Sequence, residues 1–338
     1  MTAGGGARHA ALTRCPPRSR AMSAYLIRRL GQSVVLLLLV TGIAFGMMRL
    51  APGGPESVYA LSPSMRAEDL ARIRASYGLD QPIHVQYVKW ARGMFTGDWG
   101  RSYRDSRPVR DVILDRVPAT LELTVTALVF AIVVGVTVGI LGALRPHSAS
   151  DYLATVGAMI ALSVPTFWFG LMVIFIFAER LDWIPSGGRA TLGSDFSLSD
   201  RLHHLIAPAL VLGLVLVAAW SRYTRAAMLE TIGQDYVRTA RAKGLAERTI
   251  IIGHALRNAV PPLVTLAGLQ LPFLFGGALV TESVFTWPGM GRLFVDSLGY
   301  RDYPVLMGVL VVTAVLVIFS NLLADLLVAV VDPRIRMR

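Results

Sequence analysis

The stretch Ser221–Asn258, SRYTRAAMLETIGQDYVRTARAKGLAERTIIIGHALRN, is hydrophilic and lies between two long apolar segments. It carries seven of the chain's 33 Lys and Arg. Its middle reads as a helix, a break at Gly244 and a second helix, because glycine takes the left-handed C-terminal turn without a Cβ clash. Tyr236, Val237, Ala240, Leu245 and Ile250 to Ile252 are interleaved with Arg238, Arg241, Lys243 and Arg248. A short helix ending in such a turn, held below a membrane by two spans, is a rigid knob that can enter a groove on a partner and pass force. A basic loop that only anchors to anionic lipid would look the same, and the residues by themselves leave both readings open.

The flanks decide that a membrane is involved. With 54% hydrophobic residues, 16% charged and a mean hydropathy of +0.55 over 338 residues, the chain is too apolar for an ordinary soluble domain. Six charge-free windows run along it: Leu30 to Met48, Leu123 to Leu144, Tyr152 to Ala178, Leu205 to Ser221, Asn258 to Thr281 and Tyr303 to Ala324. At about 1.5 Å per residue they suit an apolar layer roughly 30 Å thick. Lipid offers the backbone no hydrogen bonds, so each window is expected to be a helix. The expected fold is an all-α membrane protein with six transmembrane helices.

Six spans place both termini on one side. With the N-terminus inside, the inner segments (1–29, 145–151, 222–257, 325–338) hold 17 Lys and Arg against 6 acids, and the outer segments hold 16 against 16. The basic excess makes both termini and loop 222–257 cytoplasmic. The net charge of +11 follows from this topology, since the basic residues are scattered between spans and gather on no face suited to nucleic acid. The chain divides into a basic disordered tail (1–24), a first transmembrane helix (25–48), an extracytoplasmic region (49–122) and a five-helix core (123–338) that contains the cytoplasmic loop. The first apolar run is too long for a signal-peptide core, and no small-x-small cleavage site follows it.

Within the extracytoplasmic region, Ser64 is placed to cap a short helix over Met65 to Tyr77. Tyr87, Trp90, Phe95 and Trp99 are spaced for one face of an amphipathic element, which reads as packing on the bundle rather than as a ligand site. Pro165, Pro208 and Pro272 are expected to kink or open their windows. Gly135, Gly139 and Gly142 recur at a spacing that permits close helix contact.

Chemistry is notable for what is missing. The sequence contains no G-x-x-x-x-G-K-[ST] to cradle a nucleotide and no H-E-x-x-H, and no Ser and His pair sits on the spans. Catalytic residues, a bound metal and a bound cofactor are therefore not expected. The lone Cys15 sits in the tail, and His203 and His204 read as plain surface. Glu122, Glu282 and Asp325 flank windows and read as interfacial and solvated. Gln270 and Asn321 lie inside windows, either lining a pathway or tying helices together.

The segment DYVRTARAKGL (235–245), followed by HALRNAVPPLVT (254–265), resembles the cytoplasmic coupling loop of ABC importer permeases, the peptide and nickel branch in particular. GLDQP (78–82), GDWGRSY (97–103), VPATLELT (117–124), SVPTFWFG (163–170), DWIPSGG (182–188), ESVFTWPGMGRL (282–293), RDYPV (301–305), NLLADLL (321–327) and the terminal DPRIR are similar to that branch in order and spacing. The resemblance begins near Ala24, and MSAYLIRRLGQ from Met22 looks like the family's usual beginning. The general loop pattern has Glu, a first Ala, Ile and Pro that this chain replaces, and Gly54 stands where the family usually has Asp.

What the resemblance implies is a type I ABC importer permease fold in the inner (plasma) membrane, surrounded by lipid. Asp235, Tyr236, Val237, Arg238, Thr239, Ala240, Lys243, Gly244 and Leu245 would couple to the ATPase, and Glu282, Trp287, Pro288 and Gly289 would form an extracytoplasmic gate or a lip against a binding protein. The implied partners are a second, non-identical permease, two ATPase subunits holding ATP and Mg, and an extracytoplasmic substrate-binding protein. Di- or oligopeptides are the implied substrates, with nickel or glutathione as alternatives. A secondary transporter is the competing class, and it usually shows ionisable residues at span centres, which this sequence lacks.

Overall fold

The computed structural model describes residues 18–50, 80–273 and 278–331, together with positions 68, 72, 75 and 78 between them. Among the described residues the secondary structure is helical, apart from one isolated antiparallel bridge between Arg101 and Pro108. In chain order the helices are α1 (Arg18–Leu50), α2 (Ile83–Thr96), α3 (Val109–Leu114), α4 (Val117–Leu144), α5 (Ala149–Ser163), α6 (Thr166–Arg180), α7 (Leu198–Ile232), α8 (Asp235–Ala242), α9 (Glu247–Gln270), α10 (Leu279–Val284), α11 (Met290–Gly299) and α12 (Tyr303–Val331). The last seven residues of α6 and residues Ile250–Leu256 of α9 wind as π-helix.

Among the described residues, five helices are long and apolar enough to cross a membrane. The sixth expected span is broken, because α5 and α6 meet at 102°. Val164 and Pro165 sit at the break with extended backbone (ψ 126° and 128°). Proline supplies no N–H to continue the helix and pushes the residue before it out of the α region. Pro208 lies inside α7, and Pro261 and Pro262 lie inside α9 just past its π-helical turn. Pro272 follows the end of α9 in a turn.

The centre of the bundle is the pair α4 and α7, brought together by glycine. A Cβ on Gly139 would come within 2.6 Å of Ser221 O and of Thr224 Cβ, one on Gly135 would run into Trp220, and one on Gly213 would sit 2.9 Å from Ala127 O. Gly142 completes the seam against Asp151 and Arg225. Ala131 and Trp220 continue the core to Leu263 and Leu266 on α9, and Gly268 of α9 packs on Ala324 of α12.

α1 stands largely apart. Val35, Leu39, Ile43 and Met47 are exposed, while Ala44 and Phe45 meet Met307, Tyr87 and Trp90. The four aromatics of the extracytoplasmic region do not share a face. Tyr87 and Trp90 pack on Phe45, with centroids 5.6 and 6.1 Å away, whereas Trp99 joins Val109 and Met290 and Phe95 is exposed. Most of the expected helix over 65–77, Gly54, residues 1–17 and the terminal DPRIR lie outside the described residues.

Candidate functional site

At the cytoplasmic end α7 does not stop at Ser221. It continues to Ile232, so the first third of the hydrophilic stretch is helix. Gly233 and Gln234 then turn the chain into α8, and Gly244 follows α8 at φ +74°. Val237 and Ala240 are buried against Ile250 of α9, so these two of the nine expected coupling residues hold the knob to its own chain. Asp235, Tyr236, Arg238, Thr239, Lys243, Gly244 and Leu245 are exposed. Tyr236 Oη accepts a hydrogen bond from Asn258 Nδ2 at 3.1 Å. Arg241 pairs with Glu247 at 2.6 Å across the Gly244 turn, which holds its guanidinium above the usual range. The arrangement is a short helix fixed on its inner face and open on its outer one.

Just above, Asp151 at the start of α5 is gripped by Arg225 of α7, at 2.6 Å from Nε and 2.7 Å from Nη2. The His147 N–H donates to the same carboxylate at 3.0 Å. At the other end of α4, Glu122 accepts from both Arg189 and Arg201, with Arg201 Nε at 2.8 Å. Glu122, read from sequence as solvated, is instead largely covered and held by two arginines, and the Asp151–Arg225 pair was not singled out, although each acid stands at a window edge where a charge needs a partner.

The extracytoplasmic end is built around Glu282. Expected to be solvated, it is completely buried, as is Trp287. Gly289 is buried and Pro288 half-buried, so this group faces inward and does not form a surface lip. Thr120 Oγ1 donates to Glu282 Oε1 at 2.7 Å and accepts the Met290 N–H at 2.8 Å. The Arg292 N–H donates to Glu282 Oε2 at 3.0 Å. Trp287 Nε1 donates to Ala119 O at 2.8 Å. Burial pushes the Glu282 carboxyl up, against the opposing pull of Thr120, the Arg292 and Gly291 N–H groups and Arg116. α10 lies between the α9 and α12 spans, so this cluster joins their connection to the start of α4.

A cavity of about 420 Å³ lies between α1 and α12, with Leu37 and Val40 on one wall, Val317 and Asn321 on the other and Thr120 and Glu282 at one end. Asn321 thus lines a cavity. Gln270 instead accepts the Trp220 indole N–H at 2.8 Å and ties α9 to α7. His203 Nε2 contacts Trp183 O at 2.6 Å and His204 Nδ1 contacts Asp200 O at 2.9 Å. Among the described residues no group of three His, Cys, Asp or Glu could hold a metal.

The chain is a membrane-spanning helical bundle with a short helix fixed beneath it and a buried carboxylate at its opposite end. Residues 135–337 match the family described as "Binding-protein-dependent transport system inner membrane component", and residues 22–124 match its N-terminal companion. The chain belongs to this family and is a multi-pass component of the inner membrane. It is 45% identical over 315 residues to the oligopeptide transport system permease protein AppB of Bacillus subtilis, covering 93% of this chain and 99% of the relative. It is 40% identical over 336 residues to the dipeptide transport system permease protein DppB of Escherichia coli K12, with the same coverage. Among solved structures, the MetNI methionine ABC transporter in an inward-facing conformation matches with TM-score 0.54 and 23% identity, over 67% of this chain and 99% of that one. That likeness supports the type I permease fold.

Proposed function

We propose that this chain is the permease subunit of an ATP-driven importer of di- and oligopeptides, forming half of the translocation pathway. The observation that carries the reading is α8, anchored by Val237 and Ala240 with Arg238, Lys243 and Leu245 exposed, in a chain whose near-full-length relatives bear peptide-transport names. The partners are a second, non-identical permease, two ATPase subunits that hold ATP and Mg, and a binding protein that delivers substrate from outside. This chain binds no cofactor of its own.

In the cycle, ATP draws the two ATPase subunits together and their grooves carry α8 along. Because α8 leaves α7 through only Gly233 and Gln234, its displacement is delivered to α7, and through the glycine seam to α4. The cavity between the two permeases then turns outward and takes the peptide, and hydrolysis resets it. The test is uptake of a labelled dipeptide in cells lacking the gene, with and without its restoration, competed by longer peptides, glutathione and nickel. Restored uptake that requires ATP supports the importer. Nickel or glutathione as the strongest competitor would replace the peptide substrate, and uptake that ignores ATP but follows a proton or sodium gradient would replace the importer with a secondary transporter.

A further inference from the structure

Glu282 has no exposed surface, and three elements converge on its carboxylate. Its own helix is α10. Thr120 of α4 donates a hydrogen bond from its hydroxyl to Oε1 while accepting one from the Met290 N–H, so one hydroxyl bridges α4 and the first residue of α11. Oε2 accepts the N–H of Arg292, third residue of α11. A carboxylate borrowed from another helix therefore occupies the capping position of α11, where the first N–H groups lack partners within the helix. The surrounding glycines have room for nothing else. A Cβ on Gly289 would run into the Glu282 carboxylate, and one on Gly291 would sit 2.6 Å from Leu279 Cα. Trp287 adds a second tie to α4 through Ala119 O.

The helices to which this cluster is tied are pinned to one another at three levels. Glu122 of α4 with Arg189 and with Arg201 of α7 closes the extracytoplasmic end, the glycine seam closes the middle, and at the cytoplasmic end Arg225 of α7 holds Asp151 of α5 against Gly142 of α4. α8 follows directly. On the outer side, α11 and the turn after it expose Leu298 and Tyr300.

We propose that Glu282 is a positioning residue that makes the connection 278–302 move with the start of α4, so that a binding protein docked outside alters ATP hydrolysis inside through the α4–α7 pair. This rests on the importer reading above. The donors on both oxygens suit an acceptor-only group, and the reciprocal bond through Thr120 makes the link two-way: displacing α11 pulls on α4, and displacing α4 pulls on α11.

The test uses the complete transporter with its binding protein in lipid vesicles, comparing wild type, Glu282→Ala, Glu282→Gln and Thr120→Val. Three quantities are read: ATPase activity alone, ATPase activity with peptide-loaded binding protein, and peptide uptake. In Glu282→Ala the complex is expected to assemble and keep its unstimulated ATPase activity, while stimulation by the binding protein and uptake fall about tenfold, the scale of an ordinary coupling between sites. Glu282→Gln, which keeps an acceptor oxygen, recovers part of the stimulation. Thr120→Val, close in volume but without the bridging hydroxyl, shows the same selective loss and guards against a Glu282→Ala complex that fails to assemble. Full stimulation in Thr120→Val, or stimulated and unstimulated activity declining in parallel across the series, would overturn the inference. A wild-type complex without ATP-dependent uptake would instead sink the importer reading itself.

Discussion

Arg225 and Asp151 lie 74 positions apart in sequence and form a two-pronged ion pair, Nε to Oδ1 at 2.6 Å and Nη2 to Oδ2 at 2.7 Å. The pair locks the turn between α4 and α5 to α7 immediately above the coupling knob. Gly142 lies against both side chains, with a Cβ there only 3.0 Å from Asp151 Oδ1, so a larger residue would push the carboxylate off its partner. Asp151→Ala strips Arg225 of its planar partner and is expected to lower both the amount of assembled transporter and uptake per transporter severalfold. Arg225→Lys cannot restore the fork geometry and should fall between wild type and Asp151→Ala. Uptake normalised to purified complex separates the two effects, and unchanged values in Asp151→Ala would show the lock to be dispensable.

Gly139→Leu forces a side chain into a seam where Ser221 O and Thr224 Cβ are both 2.6 Å from the position of a Cβ. Overpacking of this kind typically costs about 1–3 kcal/mol, and here it separates α4 from α7 over their whole contact. Thermal unfolding in detergent should show a clear drop. Gly157→Leu, on α5 with nothing within 4 Å, is the matched control and should unfold like wild type.

The apolar windows were legible because lipid imposes one rule on every spanning segment, and the amphipathic pattern around Val237 and Ala240 was legible because a packed helix face repeats locally. The break at Pro165 was legible too, since proline supplies no N–H to continue a helix. Its size was not: the window Tyr152 to Ala178 is continuous in composition, yet its two halves meet at 102°. The burial of Glu282 was also hidden, since it depends on Thr120, 162 positions away. At a window edge a charge reads as solvated until a distant helix is seen to cover it. Trp287 was misplaced for the same reason, its indole being claimed by Ala119 O.

Gln270 is expected to act as a tie between helices. Its Oε1 accepts the Trp220 indole N–H at 2.8 Å, and inter-helix hydrogen bonds in membranes contribute roughly 0.6 kcal/mol on average and up to about 1.7. Gln270→Leu should lower stability by an amount in that range, and Trp220→Phe by more, since it also removes packing beside Leu263 and Leu266. The double variant should lose less than the sum, and peptide uptake per transporter should stay near wild type. A changed preference among peptides in Gln270→Leu, with stability intact, would assign the residue to the pathway instead.

Gly244 tests the coupling knob most directly, because the structure separates space from backbone there. Its φ is +74°, and nothing lies within 4 Å of where a Cβ would be, so a substitution at this position acts first on the turn and not on packing. A left-handed backbone costs an L-residue about 1–2 kcal/mol, and a β-branched side chain resists it further. In Gly244→Val the turn is expected to open, breaking the Arg241–Glu247 pair that spans it and tilting the exposed face of α8 away from its groove. Uptake should be lost while the protein still inserts and accumulates, since Val237 and Ala240 keep the helix attached. Gly253→Ala supplies the contrast, with open space around it and no left-handed backbone to strain, and should transport normally. Normal uptake by stably inserted Gly244→Val would remove the coupling role from this turn.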